Sequence, residues 1–147
     1  TVEVGKTYGE VPLSLLNPIP GNQTYFSVYN SFSQLDYYEF VSDTYASLHL
    51  QHNFGGRIFS RIPGLRKLNL REVISFRAVY GEISEGNIAL NASNIVYQAP
   101  EDIYWEWSVG VGNIFKVFRL DFNFRGNYLD NPGARNFGIT GVFGFVF

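Results

Sequence analysis

Ser47, His49 and Asn53 fall on one parity of an alternating stretch, and a hydroxyl, an imidazole and an amide are the ingredients of nucleophilic hydrolysis. Their spacing argues against that chemistry. Side chains at i and i+2 of a strand stand about 6–7 Å apart, too far for a base to take a proton from its nucleophile. Nothing marks Ser47 as an elbow serine. His49 and His52 lie on opposite parities and cannot share a metal from a regular strand. The acidic residues of 10–43 and 82–102 are scattered rather than spaced like a calcium loop. Gly110-Val111-Gly112 lacks the third glycine and following helix of a nucleotide loop. Cysteine is absent, which removes thiol nucleophiles, zinc knuckles and disulfides. No catalytic residue, cofactor or metal is expected.

A second set of chemically capable residues is more telling. From 116 to 128, Phe118, Leu120, Phe122, Phe124 and Tyr128 take one parity, and Arg119, Asp121, Asn123, Arg125 and Asn127 take the other. Successive side chains of a strand point to opposite faces, so this is a long strand with one greasy and one charged face. A protein core does not ordinarily take two guanidiniums and a carboxylate, nor does a wet surface display three phenylalanines. A strand standing between lipid and an aqueous lumen meets both demands. Arg77, Glu106, Arg119, Asp121, Asn123 and Arg125 are therefore expected to face the lumen. There they would select solutes, hold a plug, or simply pair across strands to stiffen the wall.

The elements that position these residues repeat the pattern. Alternation marks six strands, at 1–9, 44–54, 70–82, 103–112, 116–128 and 137–147. Gly112-Asn113 reads as a tight turn, 130–136 as a short turn around Asn131-Pro132-Gly133, and 62–67 as a short helix within the 55–69 connection. Residues 10–43 and 83–102 read as long polar loops. The long loops carry acids without bases, whereas Arg57, Arg61, Arg66, Lys67 and Arg71 crowd the connection at the other end. With the C-terminus periplasmic, the long loops lie outside, as in outer-membrane barrels. Tyr80, Trp105, Trp107 and Tyr128 would form an outer aromatic girdle, and Phe115, Phe145 and Phe147 an inner one. Phe143, Phe145 and Phe147 would form a C-terminal signal for the outer-membrane assembly machinery.

Composition agrees. The chain of 147 residues is 18% aromatic, yet its mean hydropathy is only -0.04. A helical membrane protein would be far more apolar and would carry runs of about 20 apolar residues. The net charge of -2 provides no field for nucleic acid. The same composition fits a soluble lipocalin-like calyx with its phenylalanines inside, binding a lipid. Six strands do not close a barrel, which takes about eight or more. Further strands before Thr1 are expected, or several chains share one barrel.

Several ordered segments resemble a known family. They include Gly5-Lys6-Thr7-Tyr8-Gly9-Glu10-Val11-Pro12, Tyr37-Tyr38-Glu39-Phe40-Val41-Ser42-Asp43, His52-Asn53-Phe54-Gly55-Gly56, Leu65-Arg66-Lys67-Leu68, Gly112-Asn113-Ile114-Phe115-Lys116 and Asp130-Asn131-Pro132. These are similar to large Bacteroidetes outer-membrane proteins with an N-terminal carboxypeptidase-regulatory-like domain and a C-terminal barrel of unknown function. The resemblance implies that residues 1–147 are the C-terminal segment of one all-β, antiparallel transmembrane barrel. It implies no activity. A looser likeness, to the barrels of outer-membrane assembly and two-partner secretion, includes a long loop between the first two of the last six strands. That loop carries an arginine motif there, and residues 10–43 contain no arginine. The expected role is a non-catalytic pore, export channel or scaffold. Its partners would be outer-membrane lipid, the assembly machinery and periplasmic or surface proteins. A calyx and an outer-membrane hydrolase stand as alternatives.

Overall fold

A computed structural model of the chain describes residues 1–28, 30–90 and 99–144. The alternating stretches form one antiparallel sheet of β1 (Val2–Lys6), β4 (Thr44–Asn53), β5 (Arg71–Glu82), β6 (Tyr104–Ile114), β7 (Phe118–Arg125) and β8 (Phe137–Phe143), in that spatial order. Two short strands, β2 (Asn17–Pro18) and β3 (Val41–Ser42), pair with each other. A helix, α1 (Glu85–Leu90), follows β5. The sheet is open, and the described residues form no closed barrel.

Strict register turns alternation along each strand into rows across the sheet. His49, Arg77, Glu106 and Arg125 are successive neighbours on one face. Leu50, Phe76, Trp107, Phe124 and Phe137 form the adjacent row on the other. A one-residue slip would exchange the two faces, so the contrast between them fixes the pairing. On the apolar face Trp107 stacks on Phe124 at 4.4 Å and Phe124 meets Phe137 at 5.2 Å. Such cross-strand aromatic pairs add about 0.2–1 kcal/mol each.

The compact core lies on the polar face. Ile19, Phe32, Leu35 and Phe40 pack there with Val79 and Tyr104. Residues 10–43 are therefore not an outward polar loop. They fold back across the sheet, with β2 pairing β3 and a 3₁₀ turn at Leu13–Leu15. The reason is that the charged parity needs partners once water is displaced, and this segment provides both partners and apolar cover. Its far end reaches β8, where Ser27 N–H donates to Gly141 O at 2.9 Å and Gly141 N–H donates to Tyr25 O at 2.7 Å. Part of the β8 edge is thereby capped.

Three local expectations are corrected. β6 runs past Gly112-Asn113 to Ile114, and the turn lies at Phe115 to Val117, closed by Val117 N–H to Ile114 O at 3.2 Å. Asn113 takes a φ of 62° at a register irregularity, so its turn-forming tendency is spent in a bulge beside the turn. The 62–67 helix is replaced by 3₁₀ turns at Phe59–Arg61 and Leu65–Leu68, with Pro63 between them. The 83–102 loop contains α1, pinned where Asn87 Nδ2 donates to Asp43 Oδ2 at 3.0 Å.

Close packing on the polar face makes its glycines stringent. A Cβ on Gly110 would stand 2.2 Å from Asp121 Oδ1. Gly110→Val is expected to push Asp121 off Arg119 and destabilise the sheet by about 1–3 kcal/mol, read as a lower urea midpoint.

Candidate functional site

The polar face is organised around a carboxylate with no exposure to solvent. Glu106 accepts hydrogen bonds from Ser33 N–H at 2.7 Å, Gln34 N–H at 2.9 Å, Arg77 Nη1 at 2.8 Å and Tyr104 Oη at 3.1 Å. Three of these donors belong to charge or backbone that would otherwise be stranded by burial. Arg77 Nη1 also donates to Ser33 Oγ at 3.0 Å. A strand-borne ion pair thus grips two consecutive residues of the 10–43 segment.

Arg125 makes the second grip. Its Nη2 lies 2.5 Å from Glu39 Oε1 and its Nη1 donates to Glu39 Oε2 at 3.1 Å, a two-point fork that fixes orientation as well as distance. Nη1 also donates to Gln34 O at 3.2 Å, and the guanidinium lies 5.1 Å from the Tyr104 ring centre. The β7–β8 connection closes from the side, with Asn131 Nδ2 on Glu39 and Arg135 Nη2 on Asn22 O and Asp36. Burial pulls the Glu39 pKa upward. Hydrogen bonds from Arg125, Asn131 and the Asp36 N–H, with the Arg125 charge, outweigh it and hold the carboxyl below its ordinary 4.5.

Arg119 and Asp121 form a separate pair at 2.8 Å, with Arg119 Nη1 donating to Gln51 at 3.1 Å. Asn123 donates to Thr140 Oγ1 at 2.9 Å. Here a cavity of about 540 Å³ lies between sheet and segment, bounded by His49, Gln51, Ser75, Arg77 and Arg119 on one side and by Ser27, Val28, Asn30 and Ser31 on the other. Ser75 Oγ, Ser108 Oγ and Asn123 Oδ1 are consecutive across three strands and have no hydrogen-bond partner among the described residues. Such a row suits hydration. The segment thus packs directly on part of the polar face and stands off it around this cavity.

Arg77, Glu106, Arg119, Asp121, Asn123 and Arg125 are all brought to this one face, every one of them buried. Tyr80, Trp105 and Trp107 are exposed on the opposite face. Tyr128 leaves the expected girdle. β7 ends at Arg125, a φ of 54° turns the chain at Tyr128, and its ring packs on Phe40 at 5.2 Å. Phe143 is exposed against Phe118 at 5.0 Å, and Phe145 and Phe147 lie outside the described residues. Ser47 and His49 are not joined by a hydrogen bond. His49 instead lies 5.0 Å from the Phe32 ring. No cluster of three or more metal-binding side chains occurs among the described residues. Sequence reasoning missed Ser33, Gln34 and Glu39. The available signal was Phe32, Leu35 and Phe40, apolar residues recurring in a segment read as polar.

Residues 17–86 match the C-terminal domain of a family of unknown function, DUF5686. The matched stretch contains the gripping residues Ser33, Gln34 and Glu39 together with β4 and β5. No curated protein and no solved structure matches the chain.

Two outcomes follow from the grips. Glu106→Gln leaves Arg77 buried without a counter-charge and turns an amide N–H toward a backbone donor. It should cost about 3–5 kcal/mol and raise protease cleavage within residues 31–40. Because the docked Glu39 pKa is depressed, its contribution is fully present above pH 4.5 and is lost as pH falls through the lowered value. Protection of the same residues should fall on acidification to about pH 3, and Glu39→Gln should flatten that dependence while lowering protection at neutral pH.

Proposed function

We propose that this chain is part of the wall of an outer-membrane β-barrel with no catalytic role, serving as a plugged pore, export channel or scaffold. One observation carries the reading: the charged parity is buried beneath the chain's own 10–43 segment, and the opposite parity is apolar and uncovered. From Ala46 to Leu50, Ile74 to Tyr80, Trp105 to Val111, Phe118 to Phe124 and Phe137 to Phe143, that parity carries no charged residue. Ile74, Phe76, Trp105, Trp107, Val109, Phe137, Ile139 and Phe143 on it are all exposed. A contiguous apolar surface of this extent is costly in water and natural against acyl chains. β4, β5 and β6, with 10, 12 and 11 residues, have the length of spanning strands, which need about 9–11. In a calyx the phenylalanines would turn inward and the arginines outward, the reverse of the burial observed.

The mechanism is passive. The apolar parity holds the wall in lipid, the polar parity seats residues 10–43, and the cavity beneath that segment offers a path only when the segment shifts. Glu106 and Arg125 are the restraints on the shift. The resemblance to Bacteroidetes outer-membrane proteins with a carboxypeptidase-regulatory-like domain supports the same setting. Nothing in the site favours hydrolysis, since Ser47 and His49 are not paired.

Trp105 and Trp107 report directly on this reading. Their fluorescence should be quenched by brominated acyl chains after reconstitution into vesicles, and the protein should need detergent to stay in solution. A chain that remains soluble without detergent, with unquenched tryptophans, would sink the proposal in favour of a calyx.

A further inference from the structure

One end of the sheet combines cations with exposed apolar side chains. The β4–β5 connection presents Arg57, Arg61, Arg66 and Lys67, and the β6–β7 turn beside it presents Lys116, all exposed. None of these five forms an ion pair with a carboxylate among the described residues. Ile58, Ile62, Leu68 and Phe115 are exposed between them. The two connections are tied where Asn113 Nδ2 donates to Asn69 O at 2.7 Å. Together they frame a recess of about 380 Å³ bounded by Gly55, Gly56, Ser60, Arg66, Asn69 and Asn113.

The acid nearest to this end does not neutralise it. Glu72 is buried, and its Oε1 accepts the Phe59 N–H. Glu72 shares its parity with Ile74 and Phe76, so this bond draws the first 3₁₀ turn toward the apolar face rather than the polar one. The cations therefore stand where the uncovered apolar surface ends. The opposite end is acidic, with Glu10, Glu82, Glu85, Glu101 and Asp102 exposed.

We propose that this basic end is a binding site for the headgroup phosphates of anionic phospholipids. The inference rests on the membrane reading above and adds to it a lipid class. Charge complementarity selects the occupant: a phosphodiester carries the charge that these five guanidinium or ammonium groups lack. Ile58, Ile62 and Leu68 reach the glycerol and acyl boundary at the same depth, where amphipathic elements rich in Lys and Arg settle. A free anion would use the cations and leave these apolar side chains in water. Two restraints then act on one rim, and the sheet is held both in depth and in orientation.

The test reconstitutes the protein in vesicles of phosphatidylcholine containing a minor share of phosphatidylglycerol. Lipids retained after mild detergent extraction are counted by mass spectrometry, and tryptophan quenching by brominated phosphatidylcholine is measured in parallel. The retained lipid should be enriched in phosphatidylglycerol. The variant R57Q/R61Q/R66Q/K67Q should lose at least about tenfold of that preference with quenching unchanged. The milder R66Q/K67Q should lose part of it, and R57K/R61K/R66K should retain it. Unchanged quenching with no enrichment, or enrichment that survives the fourfold variant, overturns the site and leaves the barrel reading standing. Absence of quenching overturns both. Binding of inorganic phosphate to the detergent-solubilised protein, with no phosphatidylglycerol enrichment in vesicles, would overturn the lipid assignment in favour of a free-anion site.

Discussion

A single buried carboxylate sets the terms for this structure. Glu106 sits in the middle strand region with no access to water, and a charge so placed is tolerable only when fully surrounded by donors. The sheet itself can supply Arg77 and Tyr104. The remaining donors, the N–H groups of Ser33 and Gln34, come from a segment more than seventy residues away in sequence. Satisfying one side chain thus dictates where residues 31–40 must lie. Once they lie there, Phe32, Leu35 and Phe40 have apolar company in Tyr104 and Val79, and Glu39 is delivered to Arg125. The ion pairs specify the register of docking, and the aromatic residues supply most of the area removed from water.

This arrangement inverts the usual division of labour between the faces of a half-buried sheet. The face with charges is the one packed by the chain, and the face with phenylalanines is the one left bare. The exposed aromatic rows gain nothing from water, and the buried charges cost desolvation. On the reading proposed above acyl chains would cover the aromatic rows, and the donors of the 10–43 segment offset the desolvation of Glu106.

The two ends of the sheet also differ in kind. At the acidic end, residues 10–43 fold inward across the sheet, and the Asp43 carboxylate accepts hydrogen bonds from the Ser84 N–H and Asn87 Nδ2. At the basic end, the β4–β5 connection forms two 3₁₀ turns beside the β6–β7 turn, and Arg57, Arg61, Arg66, Lys67 and Lys116 form no ion pair with a carboxylate among the described residues. A polar difference of this sort gives the molecule a direction along the strand axis, which a symmetric stack of rows alone would lack.

Strand existence, pairing order and the separation of the two parities were legible in the sequence, because a period of two is a local property that needs no knowledge of neighbours. Phe118, Phe122 and Phe124 against Arg119, Asp121 and Arg125 state it outright. What depended on partners distant in the chain was not legible. Residues 10–43 look like a polar loop by composition, and only Glu106 and Arg125, brought beside them by folding, turn Ser33, Gln34 and Glu39 into anchors. Tyr128 belongs to the apolar parity by counting, but the strand stops at Arg125 and a left-handed residue redirects the ring to Phe40. Asn113 signals a turn, yet the bulge it forms lets β6 continue for a further residue before the chain reverses. Alternation determined which side chains share a face; only the tertiary structure decided what covers that face, since the energy of a buried charge is settled by groups that sequence distance conceals.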